Sequence, residues 1–175
     1  FSDNYPARQI QGWTKRYYHA KTDDIQSVES LLAWLGDHIP AMSRSCLVHN
    51  DYKYDNVILD PDTYNLIAVL DWEMSTIGDP LMDLGSSLAY WTNRDDPDWF
   101  QHLHISPTNI PGNPSREEFL HAYAEKSGLD PGNGVIYYVY GLMKLAVIAQ
   151  QIYARYISGN ASDKRFGELK KVVEA

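Results

Sequence analysis

The segment His49-Asn50-Asp51-Tyr52-Lys53-Tyr54-Asp55-Asn56 places an imidazole, a carboxylate, an ammonium and an amide oxygen at the spacing His-x-Asp-x-Lys-x-x-Asn. Those four groups suit phosphoryl transfer. An alcohol attacking a phosphoryl group needs a carboxylate to orient it and take its proton, and Asp51 supplies one. The charge spread over the transferring oxygens needs a cation, which Lys53, two residues on, can offer from the same side. Asn56 presents a hard carbonyl oxygen suited to Mg²⁺. His49 counts with the catalytic residues, as a brace for the loop rather than a proton shuttle. Fifteen residues past Asn56, an apolar run ends in Val69-Leu70-Asp71-Trp72-Glu73. An acid at the end of such a run is poorly placed for a core and well placed for a metal. Asp71 reads as the second protein ligand beside Asn56, with nucleotide phosphates completing the shell. Glu73, on the same side of an extended chain, would assist.

Other readings compete with this one. Asp and Asn favour turns because they bond their own backbone, and a single His is more often a satisfied core residue than a catalyst. A metal-dependent phosphoesterase would use further His and Asp ligands around two metals, and His102, His104 and His121 show no such spacing with Asp51. A kinase-derived binding module that keeps the loop without turnover is the non-enzymatic alternative.

The loop needs rigid neighbours. Residues 46–48 and 57–59 are short β-like runs on either side of it, and 66–70 is a third, reached through the Asp60-Pro61-Asp62 turn. The rest reads as helix. Residues 7–20 carry Ile10, Trp13, Tyr17 and Tyr18 near one face. Thr22 or Asp23 would cap a second helix with Ile25, Val28, Leu31, Leu32 and Leu35 as its stripe, closed by Gly36 and Pro40. From Pro80, Leu81, Leu84, Leu88 and Trp91 form a face, and 93–112 reads as a long loop. Ser115-Arg116-Glu117-Glu118 is a capping box opening a helix to Ser127. Asp130-Pro131 precedes a long apolar helix to about Ser158, stopped by Gly159, and 162–173 closes the chain. The fold class expected is α+β, mainly helical, with a small β-hairpin patch bearing the loop.

Composition narrows the partners. The 23 acidic and 15 basic residues give a net charge of −8, which argues against nucleic acid and against an anionic membrane surface. The apolar stretch 135–149 is interrupted by Lys144 and is too short to span a bilayer. Cys46 is the sole cysteine, so no intramolecular disulfide forms and a reduced, cytoplasmic setting is expected. The first six residues lack the layout of a signal peptide.

Residues 47–88 resemble the aminoglycoside phosphotransferase and choline kinase superfamily, a branch of the protein-kinase-like fold. His49-Asn50-Asp51 with Asn56 resembles its catalytic loop, and Leu70-Asp71-Trp72-Glu73 its metal-binding strand end. Ile77-Gly78-Asp79-Pro80-Leu81-Met82-Asp83-Leu84-Gly85 is similar to the entry into its next helix. The wording looks closest to the phosphotransferase domain found alone in bacteria and fused to acyl-CoA dehydrogenases in animals. The resemblance implies Asp51 as base, Asn56 and Asp71 as magnesium ligands, and Lys53 near the transferred phosphate. It implies Asp83 as an acid bracing the loop from behind. Tyr90, Trp91 and Asn93 are acceptor-pocket candidates. ATP and Mg²⁺ are the implied co-substrate and cofactor, and a small-molecule hydroxyl is the implied acceptor, with hydroxyacyl thioesters hinted at by the subgroup. One feature departs from the family: neither a Gly-rich loop nor a Val-Ala-Ile-Lys-type strand precedes Asp51. Residues 1–175 therefore resemble the C-terminal lobe alone, beginning at Phe1 rather than Met. A truncated, inactive chain is the expectation, with an apolar face where the nucleotide-binding lobe would sit. That face invites self-association, in the simplest case a homodimer.

Overall fold

A computed structural model describes residues 4–174; Phe1, Ser2, Asp3 and Ala175 lie outside the described residues. In chain order the elements are α1 (Tyr5–Ala20), α2 (Gln26–Asp37), β1 (Cys46–Val48), β2 (Val57–Leu59), β3 (Leu66–Val69) and β4 (Thr76–Gly78). They are followed by α3 (Pro80–Ala89), α4 (Asp98–Gln101), α5 (Arg116–Ser127), α6 (Val135–Ile157) and α7 (Leu169–Glu174). The chain is mainly helical with a small antiparallel patch.

α6 is apolar almost all round, as a helix surrounded by others must be. Tyr137, Tyr140, Met143 and Val147 are buried in it, and α1, α2, α3 and α7 pack against it. The fully buried Leu35, Leu81, Met82, Met143 and Val147 each contribute roughly 1.5–3 kcal/mol of transfer free energy. With 23 residues, α6 is long and apolar enough by length and composition to cross a membrane. The apolar run that ended at Ala149 underestimated it, because the helix continues through Gln150, Gln151 and Arg155.

Five sequence expectations change at this level. Thr22 and Asp23 do not cap α2. Its N-cap is Ile25, without a side-chain hydrogen bond, because the turn is drawn into tertiary contacts: Gln150 Nε2 donates to Ala20 O and to Thr22 Oγ1, and Asp23 pairs with Lys170. Tyr18 is exposed, since one residue past Tyr17 turns the helix by about 100°. The run 46–48 does not pair with 57–59. β1 pairs antiparallel with β4, a strand hidden in the motif around Ile77, and β2 pairs with β3 as a local hairpin. The long loop 93–112 also holds α4 and a 3₁₀ turn, and the closing helix begins as 3₁₀. The Ser115 capping box is present with both of its hydrogen bonds, and Gly128 ends α5 in the left-handed conformation.

Of the 19 exposed large hydrophobic residues among those described, 12 lie between Leu47 and Ile77, so the two small sheets and their connections carry an apolar outer surface. Beneath them, α3 meets α6 backbone to backbone. A Cβ on Gly141 would stand 2.1 Å from Gly85 O, and one on Gly85 would stand 2.2 Å from Tyr137 O. No side-chain rearrangement relieves a clash with backbone. Gly141→Ala is therefore expected to destabilise the chain toward or beyond the upper end of the usual 1–3 kcal/mol for overpacking, about 3 kcal/mol. Gly36→Ala, where nothing lies within 4 Å, should be neutral or stabilising by up to about 1 kcal/mol. Urea midpoints for the two variants check this, and equal midpoints would refute the contact.

Candidate active site

Residues 49–56 connect β1 of one sheet to β2 of the other, so their geometry depends on what lies beneath them. Asp83, in the first turn of α3, fixes the start: Oδ2 accepts from His49 N and Oδ1 from Asn50 N, both at 2.7 Å. Burial pushes the Asp83 carboxyl up, and the two N–H bonds pull against that shift. α3 itself is anchored by Asp79, which is fully buried. It caps the helix through Leu81 N and accepts from Ser43 N and Oγ at 2.6 Å each.

His49 is 4% exposed and faces Trp72 with ring centroids 4.7 Å apart. Asp51 N–H donates to His49 Nδ1 at 3.2 Å, so the ring proton lies on Nε2 and is given to Leu70 O at 2.7 Å. Both nitrogens are engaged in backbone contacts, as a brace requires, and the ring ties Asp51 to the end of β3. Asn50 sits in the left-handed region at φ 67°, a conformation costing roughly 1–2 kcal/mol for an L-residue and least for Asn or Asp. Its side chain secures it: Oδ1 accepts from Tyr5 OH at 2.9 Å and Nδ2 donates to Met74 O at 2.9 Å. Burial pushes the Tyr5 phenol up to about 12.

The Asp51 carboxylate is surrounded by donors. Oδ1 accepts from Tyr90 OH at 2.9 Å, and Oδ2 accepts from Asn56 Nδ2 at 3.0 Å and meets Lys53 Nζ at 3.0 Å. Burial pushes this carboxyl up, but Lys53, Tyr90 and Asn56 outweigh burial and hold it below the usual carboxylate range. Burial and the Asp51 charge push the Tyr90 phenol up in turn. Lys53 also lies 4.9 Å over the Tyr90 ring. Asn56 is buried, and its Nδ2 also donates to Asp51 O at 2.8 Å. The amide orientation is thus set, which leaves Oδ1 as the oxygen available to a cation.

Asp71 is exposed and left-handed at φ 67°, followed by a 3₁₀ turn over Trp72–Met74. The chain is therefore not extended there, and the turn rather than strand alternation sets Glu73 against Asp71. The neighbouring Asp71 carboxyl holds the Glu73 carboxyl above its ordinary value, with Asp51 adding to the repulsion. Such a pair favours a cation. Among the described residues no three His, Cys, Asp or Glu side chains gather to hold a metal ion.

Tyr90 falls on Asp51, whereas Trp91 and Asn93 hold the approach to α5. Trp91 stacks on Phe119 with centroids 4.6 Å apart and donates to Pro114 O, and Asn93 Oδ1 accepts from Arg116 N. A narrow cleft of about 30 Å³ opens beside Lys53 and Tyr90, walled by Tyr54, Trp91 and Phe119. Larger cavities of about 840 and 570 Å³ lie elsewhere and include none of residues 49–56. Sequence reasoning missed Tyr5 and Lys144, whose Nζ donates to Asn50 O. The available signal was a lysine inside an otherwise apolar helix, a residue type seldom buried without a partner.

Residues 2–123 match the sequence model of the APH phosphotransferase enzyme family. The chain is 36% identical over 176 residues to mouse acyl-CoA dehydrogenase family member 10, covering 98% of this chain and 16% of that protein. It is 40% identical over 164 residues to mouse family member 11, covering 91% and 21%, and 37% identical to the human member 11 over the same length. A crystal structure from Ralstonia eutropha, of a protein assigned as an aminoglycoside phosphotransferase, superposes with a TM-score of 0.79 at 28% identity, covering 99% of this chain and 53% of that one. The chain thus spans about a fifth of the curated relatives' length and about half of the solved structure.

Removing the brace is the direct test of the loop's support. Asp83→Ala leaves two backbone N–H groups without their acceptor, at about 1–3 kcal/mol each. A loss of about 2–5 kcal/mol is expected by urea denaturation, with Asp83→Asn intermediate. Unchanged stability in the alanine variant would show that water replaces the carboxylate freely.

Proposed function

The chain belongs to the phosphotransferase enzyme family, and from that premise we propose that it carries the catalytic loop and acceptor site of an ATP-dependent kinase acting on a small-molecule hydroxyl. The observation that carries this reading is the setting of Asp51. Its carboxylate is oriented by Tyr90 and Asn56, neutralised by Lys53, and held ionised by all three.

In this reading the acceptor hydroxyl donates to Asp51 and attacks the γ-phosphorus. A new P–O bond forms as the bond to the bridging oxygen of ADP breaks, and Asp51 takes the hydroxyl proton. Lys53 exchanges Asp51 for the transferring phosphoryl oxygens, where its charge is of most use. Asn56 Oδ1 and the Asp71 carboxylate would hold magnesium, with Glu73 beside them; when bound, the ion offsets charge on the phosphate oxygens. His49 keeps the loop attached to the end of β3. The aromatic wall of Tyr54, Trp91 and Phe119 would border the acceptor. For the acceptor we favour a hydroxylated acyl thioester or a related hydroxy metabolite, because the relatives bear the name acyl-CoA dehydrogenase. The Gly-rich cover and strand lysine of the family have no counterpart among these 175 residues. We assign them to a separate nucleotide-binding lobe of the full-length protein, in line with the 53% of the solved neighbour that this chain covers.

Two measurements test the roles. Asp51→Asn in the full-length protein is expected to lower kcat by roughly 10²–10⁴-fold while the fold persists; near-normal turnover would remove Asp51 as the base. In a crystal structure with ATP and magnesium, the ion is expected within about 2.0–2.1 Å of an oxygen of Asp71 and of Asn56. A metal bound with both side chains turned away would remove them as ligands.

A further inference from the structure

Lys144 is 5% exposed, in the middle of the central helix α6. Its Nζ donates to Asn50 O, lies 3.4 Å from Ser86 Oγ and stands 5.7 Å over the Trp13 ring. The hydrogen-bond partners are a carbonyl and a hydroxyl rather than a carboxylate. Burial pulls the ammonium below the usual lysine value, and the Asp51 and Asp83 charges push it back. A buried cation held this way is a costly choice for stability alone, since an apolar side chain of the same volume would pack without desolvation.

Its place relative to the loop explains the choice. Three consecutive peptide groups lead into Asp51. The 48–49 and 49–50 groups are held by Asp83 through the N–H groups of His49 and Asn50. The 50–51 group is held at both ends: Asn50 O by Lys144, and Asp51 N–H by His49 Nδ1. That peptide follows a non-glycine residue at φ 67°, and rotation of its plane would change ψ at Asn50 and φ at Asp51. Its orientation decides where the Asp51 side chain starts.

We propose that Lys144 is a positioning residue for phosphoryl transfer, fixing the peptide between Asn50 and Asp51 so that the Asp51 carboxylate meets the acceptor hydroxyl. This rests on the reading of Asp51 as the base. Lys144 acts from helix α6, 93 residues along the chain from Asp51, and touches neither phosphate nor acceptor. It therefore governs turnover rather than nucleotide binding.

The test is Lys144→Met in the full-length protein, read by steady-state kinetics with ATP, by melting temperature, and by hydrogen–deuterium exchange over residues 47–56. The expected result is a kcat lower by about 10²-fold, the size associated with misplacing a catalytic group by about 1 Å. KM for ATP should stay within about twofold, the melting temperature should fall by a few degrees as Asn50 O loses its donor, and exchange should quicken in 47–56 but not across α6. Should the methionine variant not fold, Lys144→Gln carries the test, with a smaller kcat loss and the same local exchange. A purely structural lysine predicts the same fall in melting temperature with wild-type kcat in the folded fraction and no exchange confined to the loop. That pattern, or unchanged exchange in an active protein, would overturn the role of Lys144. Unmodified protein that transfers no phosphoryl group to any hydroxylated acceptor would instead overturn the reading of the site.

Discussion

One carboxylate organises the site. Asp83 accepts from two consecutive backbone N–H groups, and so transfers the rigidity of a packed helix to a loop that has no regular structure of its own. The arrangement is mutually dependent. A carboxylate taken out of water is costly unless its lone pairs are occupied, and the two loop amides occupy them. The amides in turn would be unsatisfied donors without it. Neither partner is stable alone, which is why the position of the loop is well determined. The position of Asp83 is itself inherited: Asp79 caps α3, and Gly85 lets α3 lie directly on α6 through Gly141. The geometry at Asp51 therefore begins in a helix–helix contact that leaves no room for a methyl group.

Charge shapes what that geometry can do. Asp51, Asp71 and Glu73 converge closely enough for Glu73 to be held above its ordinary value, while Asp51 is held below its own by Lys53, Tyr90 and Asn56. The two carboxyls differ because one is surrounded by donors and the other faces an anion. A site built this way offers an ionised acceptor of protons on one side and an unmet demand for positive charge on the other. Phosphoryl transfer needs both, since an ionised base must sit near a group that arrives already carrying cations.

The grouping of the candidate residues was legible in the sequence because they are neighbours there. His49, Asp51, Lys53 and Asn56 lie within eight positions, and Asp71 follows an apolar run whose end is easy to see. Local hydrogen bonding was legible for the same reason, as with the Ser115 box. What escaped was set by distant partners. β1 pairs with β4 across the whole loop and hairpin, so the strand at Thr76–Gly78 had no local signature beyond three residues. Thr22 and Asp23 looked like caps until Gln150 and Lys170, far along the chain, engaged them. Tyr5 and Lys144 reach Asn50 from 45 and 94 residues away. Spacing alone carries no information about such contacts. It could also not show that Asp71 and Glu73 meet through a turn rather than along a strand.

Among the described residues, four non-glycine positions have positive φ, and two of them, Asn50 and Asp71, lie at the candidate site. Glycine would adopt φ 67° at less cost, yet at position 50 it would forfeit the bonds to Tyr5 OH and Met74 O. Those bonds connect the loop to α1 on one side and to the turn after Asp71 on the other. Asparagine is the residue that tolerates the conformation and also supplies a donor and an acceptor from a short side chain. The strain at Asn50 thus follows from a requirement for connection. The loop must turn sharply enough to bring Asp51 toward Tyr90, and the residue making the turn must also hold the turn after Asp71 in register with it.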